Sequence, residues 1–171
     1  AARGAGHLQR AAGLWSFDDV SLSAGGLNLA LDGSWGTAAD IDFRLDATDL
    51  SIIAPQSRGR LNARGSFKGT LDNPLLRLTA SAANIQHEGI TLRSAEADVD
   101  VDTRPGKTLH ASVKLRDLGA RDRQLNSLDF SLTGKSDANR VAFAAQAVGT
   151  RVSATADGGF ASGSWHGRWQ S

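Results

Sequence analysis

Apolar and polar residues alternate along most of this chain. Leu27, Leu29 and Leu31 are separated by Asn28 and Ala30, and Ile41, Phe43, Leu45 and Ala47 by Asp42, Arg44 and Asp46. Leu61, Ala63, Gly65 and Phe67 face away from Asn62, Arg64, Ser66 and Lys68, and Leu76, Leu78, Ala80 and Ala82 from Arg77, Thr79 and Ser81. Ala95, Ala97, Val99 and Val101 alternate with Glu96, Asp98, Asp100 and Asp102, and Leu109, Ala111, Val113 and Leu115 with His110, Ser112, Lys114 and Arg116. Leu128, Phe130 and Leu132 follow, then Val141, Phe143, Ala145 and Ala147, then Val152, Ala154 and Ala156, and finally Trp165, Gly167 and Trp169. A period of two is the signature of strands with one dry and one wet face. Turn signals such as Asp72-Asn73-Pro74, Arg104-Pro105-Gly106 and Asp157-Gly158-Gly159 separate the runs. The pattern predicts an all-β chain of about ten antiparallel strands over residues 14–171, with residues 1–13 a tail or short helix.

No amphipathic helix is available to cover the dry face. A second sheet, closure into a barrel, or an open curled sheet that meets a foreign apolar molecule would each satisfy it. Many positions on that face are Ala, and aromatic residues are only 6% of the chain. A sandwich fills a gap of about 10 Å with large side chains, so this composition favours a groove over a dense core.

Composition removes several function classes. The chain has 171 residues with 19 Lys+Arg against 18 Asp+Glu, so it carries no basic footprint for nucleic acid. It contains no Cys, which excludes disulfides, thiolate metal sites and thiol nucleophiles. No stretch approaches the ~20 apolar residues of a membrane span, and Ala1-Ala2-Arg3-Gly4 lacks the features of a signal peptide. The chain reads as a piece of a longer protein whose anchor or export signal lies elsewhere.

The segment Gly59-Arg60-Leu61-Asn62-Ala63-Arg64-Gly65-Ser66-Phe67-Lys68-Gly69-Thr70-Leu71-Asp72-Asn73-Pro74-Leu75-Leu76 resembles the recurring G-x-L…G-x-L/F-x-G-T-x-x-x-P-x-L element of the TamB family, a group of AsmA-like proteins. Ala83 to Leu92, Ala95 to Asp102, Pro105 to Gly134 and Trp165-His166-Gly167 are similar to the strands of that family, and Gly25 to Trp35 fits more loosely. The resemblance implies a long antiparallel sheet curled into an open trough with an apolar interior, here as an internal or C-terminal fragment. It also implies a periplasmic protein anchored in the inner membrane of a Gram-negative bacterium. Such a protein moves phospholipid between the two membranes and assembles outer-membrane proteins with an outer-membrane barrel partner. The alternating apolar residues named above, Leu27 through Ala156, would then line the groove and hold phospholipid acyl chains without any cofactor.

Other chemistry is sparse. His7, His87, His110 and His166 show no metal-ligand spacing, and no Ser lies in a G-x-S-x-G element. Asp98-Val99-Asp100-Val101-Asp102 has the start of a calcium loop, but Thr103 replaces the turn glycine and Leu109 the bidentate Glu. Arg60, Arg64, Lys68 and Arg116 read as solubilising cross-strand charges, with lipid headgroups as the lesser reading. Trp15, Trp35, Trp165 and Trp169 read as core anchors. Free sheet edges predict pairing with a second copy. Two rival functions stay open. One is a scaffold that templates strands of an outer-membrane client. The other is a lipocalin-like barrel for a small hydrophobic ligand, suggested by Gly33-Ser34-Trp35 and its recurrence at Gly163-Ser164-Trp165.

Overall fold

Alternating side chains demand an extended backbone, and closely spaced turns fold that backbone against itself. The computed structural model describes residues 2–121, 123–161 and 164–170. Its strands are β1 (Ala2–Ala11), β2 (Leu14–Ala24), β3 (Leu27–Trp35), β4 (Ala39–Ala47), β5 (Arg58–Gly69), β6 (Pro74–His87), β7 (Ile90–Asp102), β8 (Thr108–Ala120), β9 (Arg123–Lys135), β10 (Asn139–Ala147), β11 (Thr150–Ala161) and β12 (Ser164–Gln170). All twelve lie in one sheet in sequence order, each antiparallel to its neighbours. A single 3-10 turn, Leu50–Ile52, interrupts the β4–β5 connection, where Asp49 accepts a hydrogen bond from the Ser51 amide at 2.9 Å.

The sheet is curved and unclosed, with β1 and β12 as its edges. This overturns the lipocalin-like reading, which needs those edges paired. The glycine of Gly33-Ser34-Trp35 has a backbone reason instead: Gly33 has φ +121°, and a Cβ there would run into the Asp40 carbonyl oxygen. Gly163 of the second such motif, like Ala1, lies outside the described residues.

Residues 2–11 form a strand and not a tail or helix. β1 and β2 were hidden from the period-two count for a physical reason. The register slips between Ala5 and His7 in β1 and between Phe17 and Val20 in β2, where Asp19 adopts φ +50°. Each slip moves the apolar set from odd to even positions or removes it.

One layer buries little. The accessible surface is 11220 Å², whereas a globular monomer of this mass exposes about 8,000 Å². Among the described residues, the buried apolar side chains are Ala39, Ala47, Leu109, Ala111 and Ala156, of which only Leu109 is large. Strands pack on their immediate neighbours, and no second layer covers either face among the described residues. With eleven gaps of about 4.8 Å the sheet spans roughly 50 Å. Solution scattering should therefore give a radius of gyration clearly above the roughly 15.5 Å of a compact chain of this length.

The edge near β12 is tied by a polar knot. Asn139 is buried, donates to the Lys135 and Ser136 carbonyls at 3.0 and 3.3 Å, and accepts from the Trp165 indole at 2.8 Å. Replacing it with Ala leaves those groups without a side-chain partner, at a cost of about 1–3 kcal/mol. A chemical-denaturation midpoint of Asn139→Ala unchanged from the parent would contradict this assignment.

Candidate functional site: an uncovered apolar face

Register decides whether alternating residues make a surface or merely a pattern. Here it aligns them in rows that run across the strands. Val20, Leu31, Phe43, Gly65, Leu78, Val99, Ala111, Leu132, Val141, Ala156 and Trp169 are successive partners from β2 to β12. A second row links Leu22, Leu29, Leu45, Ala63, Ala80, Ala97, Val113, Phe130, Phe143 and Ala154. A third links Leu27, Ala47, Leu61, Ala82, Ala95, Leu115, Leu128, Ala145 and Val152. A fourth runs through Gly33, Ile41, Phe67, Leu76, Val101 and Leu109. Thus every residue proposed from sequence as groove lining falls in one of these rows except Ala147, which pairs with Leu125 and Thr150.

Local chemistry smooths the rows. Phe43 lies opposite Gly65, where an added Cβ would press on its ring at 3.0 Å. Large residues are therefore accommodated by small cross-strand partners, as at Phe43–Gly65, Phe143–Ala154 and Leu45–Ala63. The alanines face no second sheet; they level a single floor.

A fifth row was missed in the sequence. Ile85 pairs with Leu92, Leu92 with Leu118, and Leu118 with Leu125. Each sits three residues from the third row, as in Ala82/Ile85 and Leu115/Leu118, so strict alternation would place it on the wet face. Asn84 and Asp117 resolve this with φ +53° and +49°. Asp117 turns to the charged side, where it pairs with Arg93 at 2.8 Å, and Leu118 returns to the apolar side. A repeated apolar-x-x-apolar step at one level of neighbouring strands was the available signal.

Burial follows the same division. In β4 and β6 the apolar positions are half-buried or buried and most of the intervening polar ones exposed. The tryptophans depart from the core-anchor reading. Trp165 is half-buried and hydrogen-bonded, but Trp15, Trp35 and Trp169 expose 36%, 42% and 64% of their surface. A sheet with no second layer has no interior in which to bury them.

The opposite face is charged and largely self-satisfied. Lys68 pairs with Asp40 at 2.6 Å, Arg116 with Asp129 at 2.7 Å and Arg140 with Asp157 at 2.7 Å. The hydrogen bond to Asp40 raises the Lys68 pKa above its ordinary value. A cleft of about 850 Å³ opens on this side, walled by Asp42, Arg44, Arg64, Ser66, Arg77, Thr79, Asp98 and Asp100. Leu31, Phe43, Leu78 and Val99 lie between these polar residues in its lining. Within it Arg77 meets Asp100 at 3.5 Å, and Asp98 reaches His110 at 3.5 Å. Asp98 and Asp100 thus serve cross-strand pairing, and no group of three or more metal-ligating side chains occurs among the described residues.

The Ser57 hydroxyl lies 2.7 Å from His87 Nδ1 and Glu88 lies 3.8 Å from Nε2. Ser57 is buried at 4% exposure, so this contact fastens the β4–β5 connection to the β6–β7 turn.

At the β7–β8 turn, Arg104 donates to Asp102 from Nε at 2.8 Å and from its backbone amide at 3.2 Å. Arg104's side-chain hydrogen bonds, followed by its backbone donation and charge, hold Asp102 at about 2 instead of 3.8. Because the folded pKa is depressed, this contribution is present above 3.8 and is lost as pH falls toward 2. Melting temperatures recorded from about pH 5 down to pH 2 should fall less steeply in Asp102→Asn than in the parent; identical slopes would refute the assignment.

Comparison with known families finds that the profile described as "TamB, N-terminal domain" matches residues 2–171. No curated protein and no solved structure matches. The matched profile is that of the family's N-terminal domain and bears out the resemblance to a TamB fragment.

Proposed function

We propose, from the premise that this chain belongs to the TamB family of envelope components involved in outer-membrane assembly, that its apolar face carries phospholipid acyl chains along the strand-to-strand direction. The family is a transport and assembly component and not a known enzyme family. The observation that carries the reading is the set of unbroken apolar rows on a single-layered sheet that leaves them uncovered. Burying a methylene is worth about 0.8 kcal/mol, so half-covering ~15 methylenes contributes on the order of 6 kcal/mol before ordering costs. The contacts are many, weak and without register, so a chain slides along the floor, while the open side leaves the headgroup in water. In this account the parent protein is held at the inner membrane, and other parts of it reach an outer-membrane barrel partner.

Native mass spectrometry of the chain after mild purification tests the proposal. Co-purified phospholipid is the expected result; a bare chain from a lipid-replete host would overturn it. Strand templating of a client is the second reading, favoured by the unpaired edges β1 and β12. It predicts binding of extended peptides that is abolished by proline insertion in the peptide, a change to which lipid carriage is indifferent.

A further inference from the structure

We infer that the corner of the sheet formed by the β1–β2, β3–β4 and β5–β6 turns is a docking surface for the interfacial region of a phospholipid bilayer. The inference rests on the lipid-carrying reading and names where lipid would enter. Trp15 and Trp35 are direct cross-strand partners, and Trp35 stacks on Phe67 with centroids 6.1 Å apart. Leu14 packs at Gly36 and is 44% exposed, and Leu71 on the next turn is 78% exposed. The rings are thus fixed by strand pairing yet open to solvent. Amphipathic indoles with exposed Leu side chains on the same group of turns are the chemistry that settles at the headgroup level of a bilayer.

Charge points the same way. Arg10 is the cross-strand partner of Trp15, and its guanidinium lies 5.2 Å from that ring's centroid. No carboxylate comes within ion-pair distance of it among the described residues, unlike Arg77, Arg116 and Arg140 on the wet face. A guanidinium on the apolar side, free of an internal partner, is matched to a lipid phosphate at the depth where the acyl chains begin. Trp35 also lies one step beyond Gly33 in the same strand phase, so the corner continues directly into the fourth apolar row. An acyl chain leaving a bilayer here meets no polar barrier before the floor.

The test is flotation of the chain with vesicles of phosphatidylethanolamine and phosphatidylglycerol, compared among variants. Trp15→Ser with Trp35→Ser should weaken vesicle binding about tenfold or more. Arg10→Glu, an edge-strand change with little effect on folding, should weaken it severalfold and more so at low salt. Ile52→Ser with Ile53→Ser, which removes the 37% and 50% exposed side chains at the other ends of the strands, should leave binding unchanged. Excess inorganic phosphate should not compete. Equal binding by the parent, Arg10→Glu and the double Trp variant overturns the inference, as does equal loss in the Ile pair. The outcome separates from that of the parent proposal, because variants that fail at vesicles should still retain any lipid seen by native mass spectrometry.

Discussion

Val113→Arg, Phe130→Arg and Ala145→Arg should each strip the chain of bound phospholipid, by about tenfold or more in the amount retained, while Ser112→Arg retains the parental level. Val113 and Phe130 are cross-strand partners in the second row, and Ala145 pairs with Leu128 and Val152 in the third. A guanidinium at any of these places a charge in the path of hydrocarbon. Ser112 is the immediate neighbour of Val113 but pairs with Asp98 and Ser131 on the wet face. The comparison therefore changes one residue of sequence and one face of the sheet. Lipid phosphorus per mole of purified chain measures it, with circular dichroism to confirm that the variants keep their sheet. In the full-length parent the same three changes should block lipid passage. Equal retention by the Val113 and Ser112 variants would remove the basis for the apolar floor.

Gly33→Ala should be the most damaging small substitution, costing about 3 kcal/mol or more. The residue combines φ +121° with direct opposition to the Asp40 carbonyl, so an added Cβ is both conformationally strained and without space. It lies in β3 opposite the irregular stretch of β2, where the Asp19 amide donates to Asp32 at 3.1 Å. Losing that arrangement would detach β1 and β2 from the rest of the sheet in register. Gly89→Ala is the control: its φ is +82°, but nothing lies within 4 Å of the added Cβ, so only the backbone cost of about 1 kcal/mol applies. Thermal melts of the two variants should rank in that order. A Gly33→Ala protein as stable as Gly89→Ala would contradict the account of the bend.

The central part of the sheet was legible in the sequence because nothing there disturbs the period of two. From Leu27 to Ala156 each apolar residue named from alternation finds apolar or glycine partners on both neighbouring strands, apart from Ala147, which faces Thr150, and Val152 and Ala154, which lie outside the β11–β12 pairing. The rest was hidden where the backbone spends an extra residue. At Asp19 the phase flips and β2 loses its alternation; at Gly6 and Arg10 the first strand carries too little hydrocarbon to be recognised. Asn84 and Asp117 produce the same effect inside β6 and β8, which concealed Ile85, Leu92, Leu118 and Leu125. Exposure of Trp15 and Trp35 was illegible for a different reason. A tryptophan in an alternating run looks the same whether a second sheet lies over it or not, and only the number of layers distinguishes the cases.

Photoactivation of a phospholipid with a diazirine on its acyl chain, followed by peptide mapping of the adducts, tests the uncovered face most directly. Labels should fall on alternate residues, at Leu78, Val99, Ala111 and Leu132 and not at Arg77, Asp98, His110 or Thr133. Adducts divided evenly between the two sets, or confined to the charged cleft, would contradict the account.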